Sequence, residues 1–181
     1  MPLRQTLPLL LPALWLLSDA RNDASLESTL LCLPRGSGFI FRHYHLGEAE
    51  RRARFRELAR VAARRGHCIV LSGDAATARE WGAHGVYGPV GRFARAHGLL
   101  RLATAHSLRE IGRANSSLAD AVVLSPAFPT RSHPGGKPLG PLRFRLLAAH
   151  AQIPVIALGG MASRTANRLD WPRWAAIDGL S

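Results

Sequence analysis

Eight short apolar runs, each breaking off in polar or glycine residues, constrain this chain more than any other feature. They are Ala13 to Asp19, Gly38 to Tyr44, Cys68 to Gly73, Gly85 to Pro89, Leu99 to His106, Ala121 to Pro126, Pro154 to Gly160 and Trp174 to Leu180. Continuous β-branched and aliphatic runs of this length read as strands buried on both faces, as in a parallel sheet. Between them lie helical patterns. Glu48 to Arg65 carries Phe55, Leu58, Val61 and Ala62 on one stripe, and Leu142 to Gln152 has apolar residues at helical spacing. Ser107-Leu108-Arg109-Glu110 has the form of a capping box, and Ala75 to Trp81 allows about two helical turns. Strands alternating with helices specify a parallel sheet, and eight strands is the number that closes it. The expectation is a single-domain α/β chain over residues 1–181, a compact (β/α)8 barrel lacking a full eighth helix. Leu7 to Leu11, or a partner subunit in a homo-oligomer, is expected to cover the face of strands one and eight.

Composition narrows the partners. The formal charge is +12, and all but one of the 24 basic residues are arginine, Lys137 being the exception. The arginines are scattered through the helical stretches, as Arg51, Arg52, Arg54, Arg56, Arg60, Arg64 and Arg65 illustrate. Scatter favours solubility and attraction of small anions, whereas nucleic-acid binders gather charge on one face with stacking aromatics, so no nucleic-acid partner is expected. Cys68 opens an apolar strand and reads as a buried free thiol; with Cys32 it makes neither a disulfide framework nor a metal motif. Pro8 and Pro12 interrupt the apolar N-terminal run, which argues against a signal peptide. No segment approaches the ~18 uninterrupted apolar residues of a membrane span. Cytoplasmic location without a membrane partner is the resulting expectation.

In a barrel of this kind the loops that follow the strands form the active site, and the loops after strands seven and eight commonly hold phosphate. Gly159-Gly160 and Gly179-Leu180-Ser181 occupy those places, and glycine lets a backbone amide approach an anion closely. Gly159, Gly160, Gly179 and Ser181 are therefore the candidate phosphate cradle. His106 ends strand five on the same rim, immediately before the capping serine, and imidazole is the side chain whose proton affinity suits acid–base work near neutrality. On strand two, Ile40, Arg42 and Tyr44 share one face by alternation. Arg42 can bind an anionic ligand, and Asp178 on strand eight is expected to point inward as an ion-pair partner for it. Asp74 has a second reading as the cap of the following short helix.

Ala119-Asp120 through Phe128-Pro129-Thr130 and Ile153-Pro154-Val155-Ile156-Ala157-Leu158-Gly159-Gly160-Met161 resemble the corresponding segments of the thiamine phosphate synthases and their relatives the thiazole tautomerases. Leu14 to Asp19, Ala83-His84-Gly85-Val86 and Thr104-Ala105-His106-Ser107 are similar to further family segments. The resemblance implies a barrel that binds a thiazole phosphate, with its phosphate on the amides after strands seven and eight and the histidine of the Thr104–Ser107 segment associated with proton transfer. It also implies substrate contacts from Arg42, Tyr44, Ser72, Thr104, Thr130, Ser132 and His133.

The departures from the family pattern bear on the reaction. Where the synthases carry glutamine, arginine and lysine on strand two, only Arg42 is retained; where they carry Asn-Asp after strand three, this chain has Ser72-Gly73 with Asp74 displaced by one. The family aspartate after strand four is absent from Gly88-Pro89-Val90-Gly91, and the lysine of the strand-six loop is replaced by His133. Coupling to a pyrimidine diphosphate must stabilise a departing pyrophosphate, normally through magnesium and cationic groups. The usual ligands of Mg2+ are missing, and Asp74 is the candidate to replace them. Tautomerisation only moves protons and needs an anion site and an acid–base group. The pattern therefore favours proton transfer over coupling, with a non-catalytic barrel that binds a phosphorylated metabolite as the alternative. His43, His45 and His133 lack metal-ligand spacing, and no zinc is assigned.

Overall fold

The computed structural model describes residues 11–93, 95–131, 135 and 137–180. Eight strands run in sequence order around a closed parallel barrel: β1 (Leu14–Leu17), β2 (Gly38–Phe41), β3 (Cys68–Leu71), β4 (Gly85–Gly88), β5 (Leu100–Ala105), β6 (Ala121–Leu124), β7 (Val155–Leu158) and β8 (Trp174–Ala176). Closure is direct, since Trp15 pairs with Gly38 of β2 on one side and Ala175 of β8 on the other. The strands are shorter than the apolar runs because the last residues of each run leave the sheet to form the mouth.

Among the described residues six helices pack outside: α1 (Leu26–Cys32), α2 (Glu48–Arg64), α3 (Ala75–Trp81), α4 (Leu108–Asn115), α5 (Gly140–Ala148) and α6 (Ser163–Leu169). Between β4 and β5 the described residues hold only a 3-10 turn, Val90–Phe93. Phe93 fills the place a helix would occupy by burying its ring in the outer layer. The strand period of two separates two cores. Phe39, Phe41, Ile69, Leu71, Val122 and Leu124 face outward and bury Phe55 and Leu58 of α2, Ile111 of α4 and Phe144 of α5. Trp15, Ile40, Val70, Tyr87, Leu102, Val123, Ile156 and Ala175, one from each strand, fill the interior.

Trp15 plugs the lower barrel. It is fully buried, its indole N–H donates to the carbonyl of Pro12 (2.8 Å), and the ring occupies the space a side chain at Gly38 would need. A Cβ on Gly38 would lie 2.0 Å from an indole carbon, so the plug requires glycine on the neighbouring strand. Leu11 packs against this inner core. Residues 7–10 of the segment expected to cover strands one and eight lie outside the described residues.

The capping box of α4 is extended by one residue. Ser107 accepts the amide of Glu110, while the Glu110 carboxylate accepts the amide of His106 (2.6 Å) and the Ser107 hydroxyl (3.1 Å). Burial opposes ionisation of Glu110, but the hydrogen bonds from His106 and Ser107 outweigh it and hold its pKa below the usual value.

Candidate active site

Residues that follow β2, β5, β6, β7 and β8 gather above the inner core. A cavity of about 470 Å³ opens there. Arg42 after β2, Tyr87 of β4, His106 after β5, Ser125 after β6, Gly159 and Gly160 after β7, and Gly179 after β8 line it, with Thr130 and Arg131 from the loop that follows β6. Six of the candidates thus meet in one place: Arg42, His106, Thr130, Gly159, Gly160 and Gly179. Tyr44, Ser72, Thr104 and Asp74 do not line the cavity, and Ser132, His133 and Ser181 lie outside the described residues.

His106 is oriented by Ser125. Its Nδ1 lies 3.0 Å from the Ser125 carbonyl and 3.1 Å from the Ser125 hydroxyl. A carbonyl oxygen can only accept, so Nδ1 carries a hydrogen towards Ser125. Ser125 itself is held by a ladder bond from its amide to the carbonyl of Ala105 (3.0 Å) and precedes a cis proline, Pro126.

Arg42 is fixed on three sides. Its amide donates to the Ser18 hydroxyl (2.7 Å), its Nε to the Ser18 carbonyl (3.0 Å), and its Nη2 to the Asp19 carboxylate (2.8 Å). Ser18 then continues outward to Nδ1 of the buried His43 (2.8 Å), whose Nε2 meets Asp23 at 2.8 Å; Asp23 also accepts Nε of Arg54 at 2.8 Å. Because the Asp23 carboxylate only accepts, His43 Nε2 carries the hydrogen, and the neutral ring's Nδ1 accepts the Ser18 hydroxyl. Burial, only partly offset by Asp23, pushes the His43 pKa down and keeps this neutral form.

The pairing of Arg42 with Asp178 is corrected. Asp178 lines the same cavity as Arg42, as expected, but Arg42 pairs with Asp19. The Asp178 carboxylate lies instead 3.5 Å from Arg21 and 4.0 Å from Arg131. Arg21 also reaches Asp19 (2.9 Å), so Arg42, Asp19, Arg21, Asp178 and Arg131 form a chain of alternating charge around one side of the mouth. Burial raises the Asp19 pKa but the hydrogen bonds and charges of Arg21 and Arg42 more than reverse this, so it is held below the usual carboxylate value.

Asp74 is the N-cap of α3, accepting the Thr77 amide (2.9 Å) and hydroxyl (3.0 Å). The hydrogen bond from the Thr77 amide is the largest influence that keeps its carboxyl pKa low. Tyr44 and Ser72 hydrogen-bond to each other through their hydroxyls, and Arg51 seals the same corner by donating to the carbonyls of Arg42 and Ser72, both at 2.7 Å. With Asp74 serving a helix and Asp19 and Asp178 engaged by arginines, the donor set at the mouth does not fit a magnesium site. Among the described residues no group of three His, Cys, Asp or Glu side chains is placed to hold a metal ion.

Tyr87 and Ser125 were not among the candidates. Both share the parity of interior residues, Tyr87 as the polar member of Gly85-Val86-Tyr87-Gly88 and Ser125 two positions after Val123, so strand alternation carries the signal for each.

A family model described as thiamine monophosphate synthase matches residues 16–170. The Aquifex aeolicus (strain VF5) protein named "Putative thiamine-phosphate synthase 2" is 41% identical over 58 residues, 32% of this chain; the match spans only 31% of that relative's length. Among solved structures, thiamine phosphate pyrophosphorylase from Pyrococcus furiosus superposes with a TM-score of 0.77 at 21% identity, covering 92% of this chain and 85% of that one. The enzyme of that name from Bacteroides thetaiotaomicron gives 0.61 at 14% identity, covering 92% and 82%. FabK from Thermotoga maritima gives 0.68 at 15% identity, covering 96% and 60%. At these identities the likeness to solved structures speaks for the fold, while the family model spans most of the chain from β1 to the end of α6. The chain belongs to the thiamine monophosphate synthase family.

Proposed function

We propose that this protein acts in thiamine biosynthesis on a thiazole phosphate, with the phosphate on the amides of Gly159, Gly160 and Gly179 and with His106 as the acid–base group of a proton transfer. The observation that carries the reading is the convergence of those glycines, Arg42 and an oriented His106 on one cavity. Glycine amides and a fixed guanidinium provide for an anion, and the His106 imidazole, oriented through Nδ1, stands in the same cavity as the acid–base group. Thiazole tautomerisation, in which a proton leaves one ring position and returns at another, needs nothing more of the protein. The alternative within the family is coupling of the thiazole phosphate to a pyrimidine diphosphate, which must neutralise a departing pyrophosphate. Closure of the corner at Tyr44, Ser72 and Arg51, together with the engagement of Asp74 in a helix cap, supports proton transfer.

The test incubates purified protein with thiazole carboxylate phosphate in D2O and follows deuterium entry and tautomer conversion. Conversion by the unaltered protein is expected, with His106→Gln reducing it by about two to four powers of ten while thiazole phosphate affinity changes little. Equal conversion by the variant removes His106 from the reaction. Tight binding without conversion of any thiamine precursor, with or without Mg2+, would instead make the protein a phosphometabolite-binding barrel.

A further inference from the structure

Tyr87 stands apart from the other polar groups around the cavity. Its side chain rises from the inner core of β4, the residue is 7% exposed, and that exposure is to the cavity it lines. Its backbone carbonyl accepts a weak bond from the Ser72 hydroxyl at 3.5 Å, but among the described residues its phenolic oxygen has no hydrogen-bond partner. The hydroxyl is thus a donor without a protein acceptor among those residues, on the wall of the cavity that Tyr87 lines.

We propose that Tyr87 is a substrate-contacting residue, donating a hydrogen bond from the cavity floor to an acceptor on the ligand, and so selecting ligands that carry a ring carboxylate or carbonyl oxygen at the end away from the phosphate. The inference rests on the reading that the glycine rim takes the phosphate. Gly160 and Gly179 lie beyond the top of their strands, whereas Tyr87 is inside β4, so a ligand held by both spans the depth of the cavity. Arg42, beyond the end of β2 in the same cavity, adds positive charge that favours an anionic ligand. Burial pushes the phenol up to about 12, so at neutral pH it keeps its hydrogen and donates. A site that presents a buried donor rejects ligands lacking the matching acceptor, because the donor is then left unpaired.

The test compares inorganic phosphate, thiazole phosphate and thiazole phosphate bearing a ring carboxylate, titrated calorimetrically into the full chain and into Tyr87→Phe. The expected result is a loss of about tenfold in affinity for the carboxylated probe, a smaller loss for the plain thiazole phosphate and none for inorganic phosphate. Unchanged affinity of Tyr87→Phe for the carboxylated probe overturns the proposal while leaving the phosphate reading intact. Failure of the unaltered protein to bind any of the three overturns both. A second readout needs no variant: the Tyr87 ring-carbon NMR resonance should move on adding the carboxylated probe and stay in place with inorganic phosphate, and the reverse pattern also overturns the proposal.

Discussion

Replacing Gly160 with alanine tests how tightly the phosphate rim is bound to the loop after β6. Gly160 has φ +61°, a left-handed conformation that costs an L-residue roughly 1–2 kcal/mol. An added Cβ would also stand 2.4 Å from the Pro129 carbonyl oxygen and 2.8 Å from Phe128 Cβ, inside normal contact. The loop cannot yield freely, because the amides of Ala127 and Phe128 donate to the carbonyls of Leu158 and Gly159 at 2.8 and 3.0 Å. Giving way would weaken those bonds at about 1 kcal/mol each. The combined cost is about 2–4 kcal/mol, which for a chain of this size lowers Tm by roughly 4–16 °C. Differential scanning calorimetry measures this, and titration with inorganic phosphate should show affinity falling in parallel, since Thr130 and the glycine amides share the displaced loop. A Tm within about 2 °C of the parent, with phosphate affinity retained, would refute the reasoning.

Three further outcomes follow from the packing and charge network. Gly38→Ala should destabilise the protein by about 1–3 kcal/mol through overlap with Trp15, and Trp15→Leu should reduce that penalty in the double variant; strictly additive costs in chemical denaturation would contradict the plug. A thiol reagent should label Cys32, which is exposed, and spare Cys68 until the chain unfolds, because burial pushes the Cys68 thiol up to about 11; equal labelling of both in the native protein would contradict it. His43 has its pKa lowered in the fold, so its neutral form contributes stability that is full above its unfolded value of about 6.5 and is lost as pH falls below it. His43→Gln should flatten the stability profile just below pH 6.5, and an unchanged slope would show that the Ser18–His43–Asp23 relay is not neutral in the fold.

How much of this was legible beforehand depended on the period of the pattern. The apolar runs are long enough to mark all eight strands, and the stripe of Phe55, Leu58 and Ala62 marks α2, because burial on both faces or on one leaves a direct trace in composition. His106, Arg42 and the glycines could be placed on one rim because barrel closure dictates which strand ends meet. Asp178 reaches the cavity as expected, but its partner was misread, because which arginine meets it depends on where Arg21 and Arg131 sit in space. Arg42's engagement with Asp19, and the relay through Ser18 and His43, could not be read at all. They depend on how β1 and β2 end in space, and no sequence spacing encodes that. Between β4 and β5, nothing in the local pattern distinguishes a single 3-10 turn anchored by Phe93 from a short helix.

The most direct measurement is a crystal structure with thiazole phosphate bound. The account predicts phosphate oxygens accepting hydrogen bonds from the Gly160 and Gly179 amides, with the thiazole ring beneath them facing His106. Phosphate density held elsewhere, with the glycine rim unliganded, would contradict it.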